Sequence, residues 1–374
     1  MFYGFPARKL KIIGITGTDG KTTTASMIYH ILKESGKNVS CLTTLGAFMA
    51  DGEQIETGLH TTTPSSIYLQ KYLKKMVVSK SEYVVLEVTS HALDQNRVRG
   101  IKFEVGVFTN ISHEHLDYHK TIDSYFASKL KLLANSKVCV VNFDDKFFST
   151  IKKSLPNHKL VTFSLNSRDA DISLKNIGFT IPFDSPYNNK NALAAIAVAR
   201  ELGVSDPDIE KSLKTFTFPE GRQEVVFKND FTVIVDFAHT PNAFAEVLLE
   251  VKKQTKGRLI HIFGAAGKRD ASKRPQMGKI SSQYADIIFL TAEDPRGEEV
   301  EKINSEIREG ISKNALVFEV KDRKKAIEKA ILGAKKGDVI IITGKGHEKS
   351  MNLGNGEIPW SDKEAILDIL NLHT

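Results

Sequence analysis

The chain has 374 residues, of which 41% are hydrophobic and 26% are charged, a composition typical of a globular protein with two or three domains. Lys and Arg outnumber Asp and Glu by 52 to 45, and the resulting charge of +7 is spread along the chain. This charge suits anionic small substrates, and the sequence contains no motif that would indicate nucleic acid. No stretch approaches the roughly 20 apolar residues of a membrane span, and no hydrophobic export segment is evident, so we expect a cytoplasmic protein without a membrane partner.

Apolar strand-like runs alternate with helix-like runs, which predicts βαβ units and mostly parallel sheets. In the first half the predicted strands are KIIGIT, NVSCLT, YVVLEV, VGVFTN and KVCVVN. In the second half they are TVIVDF, LIHIFG, DIIFLT, LVFEV and DVIIIT. Two helix-like segments, NALAAIAVARELG and DPDIEKSLKTF, lie between these sets and precede the turn residues Pro219–Gly221. The two cysteines, Cys41 and Cys139, lie in or beside strand runs, so we predict buried reduced thiols.

The first predicted strand leads into a glycine-rich loop and a helix-like run, and the loop reads Gly17-Thr18-Asp19-Gly20-Lys21-Thr22. Backbone N–H groups of such a loop bind phosphate, Lys21 can reach the β- and γ-phosphates, and the Thr22 hydroxyl can bind Mg²⁺. The loop has the shorter G-x-x-G-K-T form, because Ile15 occupies the place of the first glycine in the common eight-residue form. We therefore predict an ATP site and an α/β fold, with a P-loop domain of mostly parallel sheet over residues 1–219 and a Rossmann-like α/β domain over residues 220–374.

Two later strands of the first half also end in polar residues. Glu87 closes the YVVLEV run before Ser90-His91 in a predicted loop. A carboxylate at the carboxyl end of a strand faces the crevice where open α/β sheets bind ligands, so Glu87 is a candidate Mg²⁺ ligand. The VGVFTN run is followed by His113, His115, Asp117 and His119. Asp117 stands where the zinc motif H-E-x-x-H requires histidine, so we predict loop hydrogen bonds for most of these histidines and no zinc site.

Many short motifs then occur in one order over nearly the whole chain. They are GTDGKTTT, TTTP, EVTSHALDQNRV, FTNISHEHLDYHKT, SYFASK, YNNKNALAA, GRQE, VDFAHTP, FGAAGKRDASKRPQMG, EDPRGE and GKGHE. Taken together they resemble the Mur ligase family, and within it the UDP-N-acetylmuramyl-tripeptide synthetases. The resemblance implies an ATP-dependent ligase that converts the terminal carboxylate of a UDP-muramyl peptide into an acyl phosphate, which the amine of an amino acid then attacks. Positioning and charge neutralisation would supply most of the catalysis.

The resemblance also implies roles for individual residues. Nucleotide binding would fall to Gly17, Thr18, Asp19, Gly20, Lys21, Thr22, Thr23, Asn188, Arg222 and Asp236. Two Mg²⁺ ions would be held by Thr22, Glu87, His115 and Lys129, where Lys129 matches a lysine that the family carbamylates with CO₂. Catalytic roles would fall to Lys21, Lys129 and His239. Without the resemblance, Lys129 would be interpreted as a solvated helix lysine and Asn188 as a turn residue.

The substrate contacts that the resemblance implies form two groups. The muramyl peptide would contact Thr61, Thr62, Thr63, Ser90, His91 and Arg97, and the amino acid would contact Arg269, Asp294, Arg296, Gly344 and Glu348. In family members that add meso-diaminopimelate, an arginine corresponding to Arg296 grips the distal carboxylate, which suits its planar fork. Asp294 stands where that subgroup has asparagine, and its charge would favour the ammonium of lysine, unless Asp294 instead caps a helix before Pro295. The sequence leaves diaminopimelate and lysine open.

Several other functions remain as alternatives. Family members carry an N-terminal domain that binds UDP, whereas here the phosphate loop begins near residue 14. A separate protein could supply that function, or the acceptor could be a carboxylate without UDP. EDPR and GKGHE together disfavour a folate polyglutamylating ligase. A nucleotide-binding protein that has lost catalysis would not need the full set of motifs, and a P-loop kinase would leave the second-half motifs unexplained.

Overall fold

The computed structural model describes residues 3–56 and 62–373, and these divide into two compact units. The first unit runs to Ser112 and resumes over His119–Thr217, and the second comprises His113–Tyr118 and the chain from Phe218 onward. Thr61, one of the predicted acceptor contacts, lies outside the described residues. Within the described ranges, every helix is too short or too polar to cross a membrane.

Nine strands of the described residues build the sheet of the first unit. They are β1 (Lys11–Thr16), β2 (Val39–Thr43), β3 (Gly46–Phe48), β4 (Gln54–Ile55), β5 (Tyr83–Glu87), β6 (Phe103–Phe108), β7 (Ser136–Asn142), β8 (Lys159–Ser164) and β9 (Ile172–Ser173). Their order in the sheet is β4-β3-β2-β5-β1-β6-β7-β8-β9. Pairing is parallel except where β3 meets β2 and β4. The central strand β1 is therefore flanked by β5 and β6, with all three carboxyl ends on one edge.

Helices cover both faces of this sheet. They are α1 (Lys21–Glu34), α2 (Ser66–Val78), α3 (Ser90–Asp94), α4 (Leu116–His119), α5 (Ile122–Ala134), α6 (Phe148–Ser154), α7 (Pro186–Glu201) and α8 (Asp206–Thr215). On one face, one apolar core packs α2 against β1 and β5, and another packs α5 and α6 against β6 and β7. The alternate residues of these strands, such as Ile13, Val85 and Val140, are also buried, on the face where α1 and α7 contact β5 and β7. Because both faces are covered, the central strands are almost continuously apolar, which is why they were recognisable in the sequence.

The second unit is built on a six-stranded sheet in the described residues. Its strands are β10 (Glu224–Lys228), β11 (Thr232–Asp236), β12 (Leu259–Phe263), β13 (Ile287–Leu290), β14 (Leu316–Glu319) and β15 (Val339–Thr343), in the order β10-β11-β15-β12-β13-β14. Only β10 runs antiparallel to its neighbour in this sheet. A hairpin follows, formed by β16 (Ser350–Asn352) and β17 (Glu357–Pro359). The helices are α9 (Pro241–Gln254), α10 (Arg274–Tyr284), α11 (Val300–Arg308), α12 (Arg323–Leu332) and α13 (Asp362–His373).

The α/β class and the mostly parallel sheets predicted from the sequence are confirmed, and all ten predicted strands are present. Seven further strands were not predicted, because they are short or lack a continuous apolar run: β3, β4, β8, β9, β10, β16 and β17. The predicted loop at Ser90-His91 is wrong, since α3 begins at Ser90 and the Thr89 hydroxyl caps it by accepting from Ala92 N. Both cysteines are buried and free as predicted, and burial raises the pKa of the Cys139 thiol to about 12.

Close packing of α10 on α11 depends on Gly278, and this contact generates a testable prediction. A Cβ added at Gly278 would clash with the Ile307 carbonyl oxygen and lie 3.0 Å from Ile311 Cγ1. Alanine is about 1 kcal/mol more favourable than glycine in a helix interior. The added methyl group, however, would have to displace the backbone of α11 at Ile307. We expect Gly278→Ala to lower the free energy of unfolding by about 1–3 kcal/mol, measured by urea titration with the fluorescence of Trp360, the single tryptophan.

Gly333→Ala is the matched control for this prediction. Gly333 ends α12 with an ordinary φ of −89°, and the heavy atom nearest to a Cβ added there would be Lys329 O, at 3.2 Å. The free energy of unfolding of Gly333→Ala should therefore differ from that of the parent by less than about 0.5 kcal/mol. A Gly278→Ala protein at least as stable as the parent would contradict the close contact between α10 and α11.

Candidate active site

The glycine-rich loop lies at the carboxyl end of β1, between the ends of β5 and β6. Gly20 precedes α1 with a φ of 80°, a conformation that glycine adopts readily, and a Cβ there would clash with Asn191 Oδ1. Gly17 is equally restricted, because a Cβ would clash with the Thr109 hydroxyl. Helix α1 starts at Lys21, and the N–H groups of a first helical turn have no partner within the helix. The loop therefore has the form of an anion cradle.

Residues at the end of β6 fix the conformation of this loop. Asn110 accepts from Thr18 N through its carbonyl (2.9 Å) and from Asp19 N through its Oδ1 (3.0 Å). The Thr109 hydroxyl donates to the Asp19 carbonyl (2.7 Å). Thr109 and Asn110 are site residues that sequence reasoning missed, although the signal was present as polar residues directly after an apolar strand.

Two lysine side chains lie against the glycine-rich loop. Lys21 Nζ donates to the carbonyls of Gly17 (3.2 Å) and Thr18 (2.8 Å). Lys129 Nζ, from α5, donates to the Gly17 carbonyl at 2.6 Å and lies 4.3 Å from the ring centroid of Tyr125. Lys129 is only 1% exposed, so its interpretation as a solvated helix lysine is wrong. The ammonium groups of the two predicted catalytic lysines of this unit thus contact the same loop, at the Gly17 carbonyl.

Thr22 and Glu87 lie together at the ends of neighbouring elements. The Thr22 hydroxyl donates to both carboxylate oxygens of Glu87, at 3.0 and 3.2 Å, and Thr44 N donates to the same carboxylate at 3.3 Å. Both side chains are buried. A hydroxyl and a carboxylate are the hard oxygen ligands that Mg²⁺ prefers, and water or phosphate oxygens usually complete its octahedron. This donor set fits Mg²⁺.

His115, the third predicted metal ligand, belongs to the segment of residues 113–118 that groups with the second unit. Its backbone has a φ of 58°, and its Nδ1 lies 4.0 Å from Glu114 Oε1. Lys273 Nζ holds Glu114 by donating to both carboxylate oxygens, at 3.1 and 3.2 Å. His113 makes the kind of loop hydrogen bond that we predicted, to Ser272 Oγ at 2.9 Å. Among the described residues, no three His, Cys, Asp or Glu side chains form a group that could hold a metal ion.

The predicted acceptor contacts of the first unit lie in two hydrogen-bonded groups. The Thr63 hydroxyl donates to the Glu87 carbonyl (3.0 Å), and Arg97 Nη1 donates to the Thr63 carbonyl (2.7 Å). Ser90 Oγ and His119 Nε2 form a hydrogen bond of 3.0 Å, and the His119 ring lies 5.4 Å from the ring of His91. Thr62 is half-buried beside Thr63. Thr63 and Arg97 are therefore linked to the strand end that carries Glu87, and Ser90 and His119 form a separate pair.

Thr23 and Asn188 are two further predicted nucleotide contacts in the first unit. Asn188 is 4% exposed in the first turn of α7, where its N–H donates to the capping Ser185 hydroxyl, so the turn interpretation of Asn188 is wrong. Thr23 lies buried in the first turn of α1.

In the second unit, Arg222, Asp236 and His239 occur together at the carboxyl end of β11. Asp236 accepts from Gln223 N and Ala238 N, each at 2.7 Å. Burial raises the pKa of Asp236, although the nearby Arg222 opposes the shift. The Arg222 guanidinium lies 4.3 Å from the ring centroid of Phe237, whose carbonyl is hydrogen-bonded to His239 Nδ1 at 2.9 Å.

The carboxyl ends of β13 and β15 bring the predicted amino-acid contacts except Arg269 together around Asp294. Lys345 Nζ lies 2.9 Å from Asp294 Oδ1 and 2.5 Å from Glu348 Oε2. Arg296 Nη2 donates to Asp294 Oδ2 at 3.2 Å, and the backbone N–H of Asn352 also donates to Asp294. The helix-cap alternative for Asp294 is wrong, because the next helix begins at Val300 after the N-cap Glu299.

Burial and charge act differently on the two acidic residues of this loop. Burial raises the pKa of Glu293 to about 7, with partial opposition from Lys273 and Lys345. Burial also acts to raise the pKa of Asp294, but the hydrogen bond and charge of Lys345 outweigh it, so this pKa lies below its ordinary value. Lys345, which is 1% exposed, is a site residue that sequence reasoning missed, although it lies within the motif GKGHE. Arg269 is exposed in the turn after β12, and Gly344 packs against the Glu293 side chain.

Comparison with known proteins assigns the family. Residues 15–199 match the Mur ligase middle domain, and residues 221–346 match the domain described as Mur ligase, glutamate ligase domain. The chain belongs to the Mur ligase family. This family is ATP-dependent and uses Mg²⁺, in agreement with the phosphate loop and the Thr22 and Glu87 pair. The family, the enzyme class and the amide-bond-forming activity predicted from the sequence are confirmed.

The Mur ligase is similar to curated relatives over most of their length. It is 40% identical over 390 residues to a protein of Clostridium acetobutylicum named UDP-N-acetylmuramoyl-L-alanyl-D-glutamate--2,6-diaminopimelate ligase 1, covering 99% of this chain and 80% of that protein. Identity to the 2,6-diaminopimelate ligase of Aquifex aeolicus is 41%, covering 99% and 79%.

Solved structures share the fold of this Mur ligase. A 2,6-diaminopimelate ligase structure superposes with a TM-score of 0.65 at 28% identity, covering 97% of this chain and 79% of the other. A folylpolyglutamate synthase from Mycobacterium tuberculosis superposes with a TM-score of 0.71 at 17% identity, covering 92% and 90%. The second likeness concerns the fold alone.

The raised pKa of Glu293 makes the stability of the Mur ligase depend on pH. Between the ordinary carboxyl pKa and about 7, the folded chain binds a proton that the unfolded chain releases, so stability falls as pH rises through this window. Glu293→Gln removes the titrating group. We expect the free energy of unfolding of this variant, relative to the parent, to increase by about 1–3 kcal/mol between pH 5 and pH 8, measured by urea titration.

Glu298→Gln is the control with the opposite shift. The hydrogen bond from Arg274 lowers the pKa of Glu298 to about 2, so the stabilisation from its charge is fully present above the ordinary carboxyl pKa and is lost only as pH falls further. The stability difference between Glu298→Gln and the parent should therefore stay constant from pH 5 to pH 8. A constant difference for Glu293→Gln as well would show that Glu293 does not titrate in this range.

Proposed function

We propose that this Mur ligase joins the D-glutamate carboxylate of UDP-N-acetylmuramoyl-L-alanyl-D-glutamate to an amine of meso-diaminopimelate during peptidoglycan precursor synthesis. The observation that carries the proposal is the Arg296 loop, in which a half-buried guanidinium lies beside Asp294, and Lys345 pairs with the other carboxylate oxygen of Asp294. The names of the relatives at about 40% identity support the same substrates. As part of this proposal the enzyme works in the cytoplasm, where ATP is available.

Carboxylate activation would take place at the glycine-rich loop. The first-turn N–H groups of α1 and the ammonium of Lys21 would hold the phosphates of ATP, and Thr22 and Glu87 would hold Mg²⁺ through oxygen. Bound Mg²⁺ would neutralise charge on the transferring phosphoryl group. Asn110 and Thr109 keep the loop in its conformation, so the chain supplies a preorganised cradle that needs no rearrangement at the moment of reaction. Asn188, Arg222, Asp236 and His239 complete the proposed nucleotide contacts.

Selection of the amino acid would depend on Arg296. Only one of its nitrogens donates to Asp294, and a guanidinium has five N–H donors, so donors remain for the distal carboxylate of diaminopimelate. Asp294 is paired with Lys345 and Arg296, which removes the repulsion that an isolated aspartate would exert on that carboxylate. The remaining donors of Arg296 therefore favour diaminopimelate over lysine. Arg269, Gly344 and Glu348 are the other proposed contacts of the amino acid.

The acceptor would contact Thr63, Ser90, His91 and Arg97, together with Thr62. Thr63 and Arg97 are linked by hydrogen bonds to the strand end of Glu87, which suits a substrate whose carboxylate must meet the activated phosphate. The similarity to single-chain ligases gives no support for a separate protein that supplies UDP binding. We therefore propose that the substrates are small molecules only.

The substrate proposal predicts a selective ligase reaction. With Mg²⁺, ATP and UDP-N-acetylmuramoyl-L-alanyl-D-glutamate, phosphate release should require diaminopimelate, and lysine should support little. Arg296→Lys keeps the charge but loses the planar fork, so the KM for diaminopimelate should rise by about 10- to 100-fold while the KM for ATP changes little. An equal rise in the KM for ATP would point to a structural role for Arg296. If ATP binds but no phosphate is released with either diaminopimelate or lysine, these substrates are ruled out.

We further propose that Lys129 carries a CO₂-derived carbamate that supports a second Mg²⁺. Its burial and its position on the Gly17 carbonyl place it at the glycine-rich loop, and a carbamate would turn an ammonium into an oxygen ligand of the kind that Mg²⁺ prefers. Lys129→Ala should then lower kcat by at least about 100-fold.

Two further variants separate carbamate from ammonium. Lys129→Arg keeps a positive charge but cannot be carbamylated, so it should be as inactive as Lys129→Ala. Lys129→Glu supplies a carboxylate and should recover part of the lost kcat. Activity in Lys129→Arg together with none in Lys129→Glu would show that a positive charge, and not a carbamate, is required at this position.

A further inference from the structure

A buried arginine lies at the start of α12, outside all the motifs that identify the family. Arg323 donates to Asp362, the first residue of α13, in a bidentate pair along one edge of its guanidinium, with Nε to Oδ1 and Nη2 to Oδ2 distances of 2.7 Å each. The two side chains are 1% and 0% exposed. Trp360 Nε1 also donates to Asp362 Oδ1 at 2.9 Å. The Asp362 carboxylate therefore accepts three hydrogen bonds, two from Arg323 and one from Trp360.

The same guanidinium binds the backbone at two separate points of the chain. Arg323 Nη1 donates to the Ala292 carbonyl at 3.1 Å, and Nη2 donates to the Thr343 carbonyl at 2.9 Å. Ala292 directly precedes the Glu293–Arg296 loop, and Thr343 directly precedes the Gly344–Glu348 loop. One planar group thus ties together the starting points of both loops that make up the proposed amino-acid site.

These two loops need external anchors, because their own backbone is not in a regular conformation. Arg296 has a φ of 51° and Gly344 a φ of 105°, and such values are unfavourable for most residues unless the surroundings impose them. The loops also meet each other, since Lys345 pairs with Asp294 and Gly344 packs against Glu293. A shift at either starting point would therefore alter both loops.

We propose that Arg323, held by Asp362, is a positioning residue for the amino-acid site of this ligase. It fixes the Ala292 and Thr343 carbonyls and thereby sets the distance between the loop that carries Arg296 and the loop that carries Glu348. It does not touch the substrate. The identity of the site rests on the proposed function, whereas the anchoring of the two loops rests on the contacts of Arg323 alone.

The second unit contains a matched control at the opposite end of the same sheet. Arg258 binds Asp338 through Nε (3.0 Å) and Nη2 (2.5 Å), and it also donates to the Gly333 carbonyl. Arg258 directly precedes β12 and Asp338 directly precedes β15. This pair has the same bidentate geometry as the pair of Arg323 and Asp362, but Arg258 is 34% exposed, and the pair lies at the amino ends of the strands, away from both loops.

The test compares Arg323→Lys with Arg258→Lys in the full-length chain. Lysine keeps the charge, but its single ammonium cannot reproduce the planar fork that reaches Asp362 and two carbonyls. We expect Arg323→Lys to raise the KM for diaminopimelate by about tenfold or more, with KM values for ATP and acceptor within about twofold of the parent. Arg258→Lys should leave all three KM values within about twofold. Equal changes in both variants would overturn the proposal.

Amide hydrogen exchange of the substrate-free protein provides a readout that does not depend on activity. Arg323→Lys should speed exchange in peptides that cover residues 292–297 and 343–348, and Arg258→Lys should not. If the parent releases no phosphate with diaminopimelate, the proposed substrate fails, while faster exchange confined to these peptides would still support the anchoring role. Unchanged exchange in both peptides would overturn it. Asp362→Asn, which keeps the shape of the partner, should reproduce the Arg323→Lys pattern.

Discussion

Parallel strands bring the loops that carry most of the proposed site residues to the carboxyl ends of strands, and this constraint organises both units. In a parallel sheet the connections cross over with one handedness, so loops that follow neighbouring strands emerge on the same edge. In the first unit these strands are β5, β1 and β6, which supply Glu87, the glycine-rich loop and Asn110. In the second unit they are β11, β15, β12 and β13. Residues far apart in sequence are therefore neighbours without any special contact to bring them together.

Charge balance is the second condition that these loops must meet. A buried ion is tolerated only with compensating partners, and Lys345 meets this condition with Asp294 and Glu348, as Arg323 does with Asp362. Glu293 departs from the pattern, because burial outweighs the nearby lysines and raises its pKa to about 7. A carboxyl that is half-protonated near neutral pH is a usual feature of a functional site and an unusual one of a purely structural core.

The sequence was sufficient to predict the central strands and the residue types of the site. It was not sufficient to predict which groups pack against those residues or form hydrogen bonds with them. Continuous apolar runs made the central strands recognisable, whereas β10 and the hairpin of β16 and β17 have no such run. Lys129 looked like a solvated helix residue because burial depends on what packs around α5, which its own sequence does not state. Arg323 gave no signal at all, since its importance lies in two backbone carbonyls, and carbonyls are the same in every residue.

Asp294 shows how a partner can reverse an inference drawn from residue type. Considered alone, an aspartate beside Arg296 argues for a cationic substrate, because a free carboxylate would repel the second carboxylate of diaminopimelate. Lys345, which is buried and cannot turn away to solvent, occupies one oxygen of Asp294, while Arg296 binds the other. The aspartate then acts as a brace that orients Arg296, and the two cations Lys345 and Arg296 are balanced by the two anions Asp294 and Glu348. Under the proposed function, specificity for a dicarboxylic amino acid is therefore compatible with aspartate at this position.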